Sequence, residues 1–555
     1  MFLGLYSRKY PAIGESHGLS VVAGSLRAAM PPSDLNINVI DMMQWGEESC
    51  TRAVKMIHRV RANMIAIGLP YGTFRVIERE YAALRSALYG TNPLIIFGGP
   101  IATYMSERIL TEIAPESIVI RGEAEHILPS IVECWRSGNS ISQIPNVHYI
   151  DRITGAQVET PRLLADLSRS RLPYREHIPE IHATGGQIYC ESSRGCSWAA
   201  CTFCLRGLTD IVGRSYEYRR KNPTIVGDDL EFLWDLGIED VTFADEDFLG
   251  SGLTEAEEFV TALQSRQATF PRFDASLTVH SVVSRRDTVQ DDHKREQITE
   301  SLAKLGLQKV FLGIESCSPT QLKRYAKGHS REEAVRATRR LQQLGVRVEI
   351  GVILFDPLCT LMEVRESLEF MRLNNLVGLS SGLANDLRLQ ASSHYVAMLS
   401  NYERLHGLHL RDPSLDPDTL SYPYRFHEPA VARLFEAVNE WNTRLRPLYY
   451  PAKSLSRFGS TGAIGQPVHA LRKGIIEFRN GVCDAIIDAI DVTVANGNPR
   501  AVLDVYFPVI AGALAECVIA CLSPLRGDGR QHPVVEQAVD AARRVDALTN
   551  TRQRS

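Results

Sequence analysis

The chain has 555 residues, 44% of them hydrophobic and 23% charged, with 61 Lys and Arg against 65 Asp and Glu for a formal charge of −4. At roughly 150 residues per domain, this length predicts about three or four domains with real apolar cores and excludes extended disorder. A near-neutral balance lacks the basic face that phosphate neutralisation needs, so a small-molecule or peptide partner is expected and a nucleic-acid partner is not.

The opening run Met-Phe-Leu-Gly-Leu-Tyr is too short for a secretory signal and leads into Ser7, Arg8 and Lys9 rather than a cleavage site, so a cytoplasmic, reduced protein is expected. From residue 2 to 119, short β-rich runs alternate with helical periods, the pattern of a doubly wound parallel sheet. Strands are predicted at 2–6, 37–42, 64–69, 94–97 and 117–120, with helices at 18–30, 49–61, 74–89 and 104–113. Gly68, the Gly98-Gly99 pair before Pro100, and Gly122 fall at strand ends. Each alone reads as a tight βα turn, but several on one carboxyl edge favour a ligand lying against the backbone. A first domain over 1–155 is predicted, followed by a polar, Arg-rich linker over 156–183 that begins to show from Asp151.

Gly185-Gly186 opens a second alternating series, with strands predicted at 187–189, 240–244, 273–279, 309–313, 347–354 and 382–389 and amphipathic stretches at 300–305 and 331–344. Repeated βα units over 184–400 predict a full or partial barrel with its chemistry at the carboxyl ends of the strands. Beyond 401 the alternation fades, and helices at 428–449, 469–478 and 485–496 predict a mostly helical region to 555, a candidate substrate-binding domain. Its aromatic residues Tyr422, Tyr424, Phe426, Trp441, Tyr449 and Tyr450 read as core filling or as a pocket lining. The apolar stretch 505–525 holds Pro508 and Glu516 and reads as a buried helix rather than a membrane span. A frayed, Arg-containing tail is expected after Arg543.

Eleven cysteines are scattered except for Cys190, Cys196, Cys201 and Cys204, which crowd together. Cys196, Cys201 and Cys204 form a C-x4-C-x2-C cluster after a predicted strand, and in a reduced protein such crowding means metal before disulfide. Three close thiolates suit a four-iron cluster with one iron left open. Zinc would want a fourth ligand, and a structural iron–sulfur cluster would recruit a fourth cysteine, for which Cys190 stands nearest.

With these cysteines the chain, over about 2–388, resembles the radical S-adenosylmethionine superfamily and in particular its cobalamin-binding branch. The usual triad is C-x3-C-x2-C, and the extra residue before Cys201 resembles a subset of that branch with an enlarged first gap. The resemblance implies that Cys196, Cys201 and Cys204 hold a [4Fe-4S] cluster whose open iron takes S-adenosylmethionine, with Phe203 packing near its adenine. The run Thr242-Phe243-Ala244-Asp245-Glu246-Asp247-Phe248 is similar to the strand-end acidic motif that holds the methionine amino group, through either Asp245 or Glu246; alone it reads as a solvated acidic turn. Gly313-Ile314-Glu315-Ser316 resembles the motif whose Glu lies near the ribose, Lys327 falls where a cation meets the methionine carboxylate, and the backbone at Ile353 would border the adenine. Without the resemblance, Glu315 reads as a structural ion pair and Lys327 as a helix-end lysine.

The first domain resembles the branch's cobalamin-binding fold. Gly98, Gly99 and Pro100 match its strand end, and Gly122 and Glu123 lie in its Gly-Glu-x-Glu turn. The Asp-x-His-x-x-Gly cobalt-ligand motif is absent, and His17 lacks the Asp two positions before it, so cobalamin is expected base-off. The resemblance implies a methyltransferase acting on an unactivated carbon of a peptide or natural product through a 5′-deoxyadenosyl radical, fed by an electron donor of flavodoxin or ferredoxin type. Cyclisation, ring contraction or oxidation with the same cofactors is the alternative, and a non-enzymatic corrinoid or iron–sulfur protein a further one.

Overall fold

The computed structural model describes all residues except 8–13, 43–44, 91, 206–217, 251, 383, 457–464, 523–542 and 544–555, so the predicted tail beyond Arg543 lies outside the described residues. It is an α/β protein with two sheets and a helical C-terminal region.

The first sheet holds seven strands: β1 (Phe2–Gly4), β2 (Val39–Asp41), β3 (Met64–Gly68), β4 (Leu94–Gly98), β5 (Ile118–Ile120), β6 (Val147–Ile150) and β7 (Gln157–Glu159), in the order 2-1-3-4-5-6-7. The first five are parallel, as their unbroken apolar runs require of strands buried on both faces. Helices His17–Ala29, Ser49–Val60 and Phe74–Ser86 lie within two residues of their expected starts. The stretch read as one helix over 104–113 is instead broken into Pro100–Tyr104, Ser106–Arg108 and Ile109–Ile113, the last wound as a π turn.

β6 and β7 run antiparallel, and β7 extends the sheet beyond the expected boundary at 155. The stretch read as a linker therefore contains a paired strand and, later, the helix Ile178–Ala183. The Asp151 carboxylate accepts the Ile153 and Thr154 amides at 3.0 and 2.8 Å, and Gly155 takes φ +71, making a hairpin turn that an average over polar composition conceals.

Next come β8 (Tyr189–Cys190), the short antiparallel ribbon of β9 (Ser193–Arg194) with β10 (Arg219–Arg220), and β11 (Asp240–Phe243), β12 (Arg272–Thr278), β13 (Leu307–Glu315) and β14 (Arg347–Val352). β8 and β11 to β14 make a five-stranded, all-parallel sheet of order 14-13-12-11-8, a partial barrel. The strand expected at 382–389 is absent as a strand. Single bridges from Ser380 to Ile350 and from Asp386 to Phe355 seat this segment beside β14.

The helices Pro429–Leu455, Gly465–Val494 and Pro499–Leu522 share one apolar core with the barrel. The second fuses two expected helices across Gly481, where a Cβ would stand 3.0 Å from Ile510 of the third, so the residue that weakens helix propensity is what admits the neighbour. The third is long and apolar enough to cross a membrane by length and composition. It is buried on one side only, through Leu503, Phe507, Leu514 and Val518, while Val505 is 71% and Val509 72% exposed. Trp441 and Tyr449 are core residues, whereas Tyr450 is exposed.

Candidate functional site

The cysteine loop leaves β9 at Arg194 and is tied down at almost every residue. The Gly195 amide donates to Glu246 at 3.0 Å, the Ser197 hydroxyl to Asp247 at 2.6 Å, and the Trp198 indole to the Ala326 carbonyl at 2.8 Å. The Thr202 amide donates to the Tyr325 carbonyl at 3.1 Å and the Tyr395 amide to the Thr202 carbonyl at 2.7 Å. Cys196, Cys201 and Cys204 form no disulfide among the described residues and are half-buried. Burial and the Asp247 charge push the Cys196 thiol up to about 11, and burial raises that of Cys201 against the opposing pull of Lys327. Such thiols become thiolates only against added positive charge, which a metal group supplies. Among the described residues no three His, Cys, Asp or Glu side chains converge on a single ion. Cys190 lies apart from the loop in the barrel core, against Asp229 and Arg175.

Around the thiols stand the residues the motifs singled out. Glu315 ends β13 with φ +71, where the register to β14 shifts, a left-handed backbone that turns its side chain toward Lys327. Lys327 Nζ lies 3.7 Å from Glu315 and 5.9 Å from the centre of the Phe203 ring. Burial alone would lower the Lys327 pKa, but Cys201 and Glu315 outweigh it and the net direction is up, so the ammonium is held charged in a closed site. A Cβ at Gly313 would come within 3.0 Å of Glu315, and one at Gly351 within 2.9 Å of Phe311 and 3.1 Å of Glu315; both glycines make room for that carboxylate. Ile353 is half-buried, and its amide donates to the Glu315 carbonyl at 2.7 Å. Ser316 is fully buried and donates to Gln321 at 2.7 Å, inside the fold rather than at the thiols.

The acidic run separates into three roles. Asp245 is 3% exposed, with its carboxylate taken up by the Ser192 amide and the Ser192 and Ser193 hydroxyls; burial still pushes it up to about 6. Asp247 is buried between Ser197 and Ser281. Glu246 is the half-exposed carboxylate of the run, one oxygen on the Gly195 amide.

At the carboxyl edge of the first sheet, a Cβ at Gly98 or Gly122 would meet nothing within 4 Å, so the edge is open there. Gly99, at φ +93, is a turn requirement, because a Cβ would press on the Leu69 carbonyl at 3.0 Å, and Pro100 begins the short helix after it. The room suits a flat macrocycle against backbone. His17 is buried, with its Nδ1 3.4 Å from Glu15 and its Nε2 without a hydrogen-bond partner. Glu15 is held well below the usual carboxylate range: burial pushes it upward, and Arg175, which donates to it at 2.7 and 2.9 Å, outweighs that.

Glu123 is already engaged. Arg219 donates to it at 2.6 and 2.9 Å, the Ala165 amide at 2.5 Å, and Arg194 lies 3.5 Å away. Arg194 also pairs with Glu125 and, at 2.7 and 3.0 Å, with Glu191, which takes Lys221 at 2.7 Å. Three carboxylates and three cations thus bridge the edge beyond β5 to the residue two before Cys196, every one less than a fifth exposed. This network was missed at the level of sequence, where the Glu-x-Glu turn was visible but its partners lie far along the chain.

Residues 190–371 match the Radical SAM superfamily. Among curated proteins, the chain is 24% identical over 371 residues to 4′-phospho-dehydrooxetanocin synthase of Priestia megaterium, covering 64% of this chain and 48% of that protein. It is 24% identical over 311 residues to the uncharacterized methyltransferase PH0819 of Pyrococcus horikoshii, covering 55% and 63%. The chain thus spans about half to under two thirds of the length of these relatives. Among solved structures, the cobalamin-dependent S-adenosylmethionine radical enzyme OxsB with aqua-cobalamin and S-adenosylmethionine bound superposes with a TM-score of 0.78 at 18% identity, over 98% of this chain and 83% of that one. The radical S-adenosylmethionine methyltransferase TsrM of Kitasatospora setae, with cobalamin and a [4Fe-4S] cluster, gives 0.60 at 15%, over 86% and 99%.

Proposed function

We propose that this chain, whose residues 190–371 match the Radical SAM superfamily and whose fold is that of a cobalamin-dependent member, is a radical S-adenosylmethionine methyltransferase acting on an unactivated carbon of a peptide or natural-product substrate. The observation that carries the reading is the joining of two edges. The open glycine edge of the first sheet and the thiol loop of the barrel are bridged by Glu123, Glu125 and Arg194, which holds two cofactor sites within one fixed frame.

Cys196, Cys201 and Cys204 would hold a [4Fe-4S] cluster, and Gly98, Gly99, Pro100 and Gly122 would border a base-off cobalamin. When bound, these groups and S-adenosylmethionine supply a reducing electron, a carbon-centred oxidant and a methyl group. The chain's own part is to orient and enclose. Glu246 takes the methionine amino group, as the half-exposed member of a run whose Asp245 and Asp247 are buried against serines. Lys327 takes the methionine carboxylate, Glu315 the ribose, Phe203 and the Ile353 backbone the adenine. Glu123 acts by joining the domains rather than by touching the corrinoid, and Ser316 by bracing the end of β13.

A second reading keeps both cofactors but rearranges or oxidises the substrate without methyl transfer. It is favoured by the longer match to a protein named a synthase than to one named a methyltransferase. Anaerobic reconstitution followed by a mass screen of peptides and natural-product intermediates separates the two: a gain of one methylene supports methyl transfer, and loss of hydrogen or unchanged mass with altered retention supports the second.

A further inference from the structure

A cavity of about 500 Å³ opens beside the cysteine loop, lined by Trp198 and by Arg285, Lys323, Gly328, His329 and Arg331 from segments that follow β12 and β13, among others. Its wall is the segment after helix Pro319–Arg324, and that wall is shared with the thiol site. Lys327, in its middle, turns its side chain inward to Glu315 and Cys201. Trp198, from between the first two cysteines of the loop, lies against Gly328 on the cavity side. The packing is close: Gly328 has φ +72, and a Cβ there would overlap the indole. The indole also sits 4.6 Å from the His280 ring, whose Nε2 meets the Lys327 carbonyl at 3.1 Å. A single layer of chain therefore separates this cavity from the cysteines.

The rim is cationic. Arg285 and Lys323 are exposed and make no side-chain ion pair among the described residues. Arg331 is paired with Glu332 at 3.1 Å and with Glu366 at 2.9 Å, so the surplus of positive charge rests on Arg285 and Lys323. His329 is held neutral, pushed down to about 3 chiefly by burial, and adds no charge of its own. For a chain whose formal charge is −4, this is a local reversal of sign beside the loop that an electron must reach.

We propose that this cavity is the docking surface for an acidic one-electron carrier protein, one with a reduced flavin or iron–sulfur centre under a rim of carboxylates. The proposal rests on the cluster-binding reading of the three cysteines. The carrier gives up one electron and the cluster gains it; no bond forms or breaks and no proton moves. Arg285 and Lys323 steer the carrier, and Trp198 and the wall at Ala326–Ser330 receive its cofactor edge.

The test compares the reconstituted protein with Arg285→Glu/Lys323→Glu and with the milder Arg285→Ala/Lys323→Ala, all at low salt. Loss of visible cluster absorbance is followed after mixing with dithionite or with a reduced bacterial flavodoxin of net negative charge, and flavodoxin affinity is measured by calorimetry. The expected result is unchanged bleaching by dithionite, with flavodoxin-driven bleaching and affinity both reduced about tenfold or more in the charge reversal and by less in the alanine pair. Added salt should slow the unsubstituted protein toward the variants. Equal flavodoxin rates and affinities in all three proteins would overturn the proposal. So would an unsubstituted protein that bleaches with dithionite but does not bind flavodoxin. No cluster absorbance in the unsubstituted protein would instead overturn the reading of the cysteines, and the docking proposal with it.

Discussion

Arg194 joins the two sheets at the start of the cysteine loop. It is 18% exposed and faces Glu191, Glu125 and Glu123, of which Glu125 is 8% and Glu191 11% exposed. Burial alone would lower its pKa, yet Glu191 and Glu125 outweigh it and the net direction is strongly up, so the guanidinium is stabilised by its partners and not merely tolerated. Replacing it by Met leaves three carboxylates against Lys221 and Arg219. Breaking a buried pair from one side costs about 3–5 kcal/mol, because the remaining charge is uncompensated. If that cost is borne by local opening of the cysteine loop, amide exchange in peptides spanning 190–204 should accelerate by roughly two to three and a half orders of magnitude, at about 1.4 kcal/mol per decade. Hydrogen exchange with mass detection on the anaerobic apoprotein measures this. Glu125→Gln alone should accelerate the same peptides by less, and Arg194→Met/Glu125→Gln by less than the sum, since removing both partners leaves one fewer unpaired charge. Exchange in Arg194→Met within threefold of the unsubstituted protein, or strict additivity of the two substitutions, would refute the reasoning.

Cys196→Ala, Cys201→Ala and Cys204→Ala should each lose iron, sulfide and visible absorbance after anaerobic reconstitution while Cys190→Ala keeps them, as metal analysis and spectra would report. Lys327→Met and Glu315→Gln should retain the cluster but bind S-adenosylmethionine roughly ten- to over a hundredfold more weakly in equilibrium binding, the worth of about 1.5–3 kcal/mol for one charge-assisted hydrogen bond. Asp41 is pushed up to about 7, by burial first and also by Glu15, against hydrogen bonds from Ser16, and His177, 3.6 Å away, stays neutral above about pH 4 because burial lowers it. An acid raised above its unfolded pKa of about 3.9 costs nothing below that pH and costs progressively more as pH rises through the folded value. Asp41→Asn should therefore stabilise the protein by about 4 kcal/mol at pH 8 and by roughly a tenth of that at pH 4, read from urea midpoints at the two pH values.

What was legible in the chain was what is written locally. The alternating runs of the first sheet and the barrel carry their own period, and the central strands fall within two residues of expectation because an unbroken apolar run bounded by glycine has few other uses. The cysteine spacing and Gly313-Ile314-Glu315 likewise depend on neighbours in sequence. The burial of Asp245 did not, since it turns on Ser192 and Ser193, more than fifty positions upstream, whose amide and hydroxyls its carboxylate accepts. Glu123 looked like an edge residue until Arg219, 96 positions away, was seen to occupy it. The hairpin that adds β7 hides in a polar stretch because an edge strand exposes Gln157 and Glu159 and so lacks an apolar run. The segment at 382–389 has the composition of a strand, but its described residues pair only through the single bridge of Asp386 to Phe355, just beyond β14.

The most direct test of the account is whether one preparation holds both cofactors and cleaves S-adenosylmethionine. Anaerobically reconstituted protein is incubated with hydroxocobalamin, desalted, and treated with S-adenosylmethionine and dithionite; retained cobalt is quantified, and 5′-deoxyadenosine is measured by mass spectrometry. The account predicts about one cobalamin retained per chain, unchanged cobalt paramagnetic resonance in His17→Ala, and deoxyadenosine that disappears in Cys201→Ala. A protein that retains no corrinoid and forms no deoxyadenosine with its three cysteines intact would contradict it.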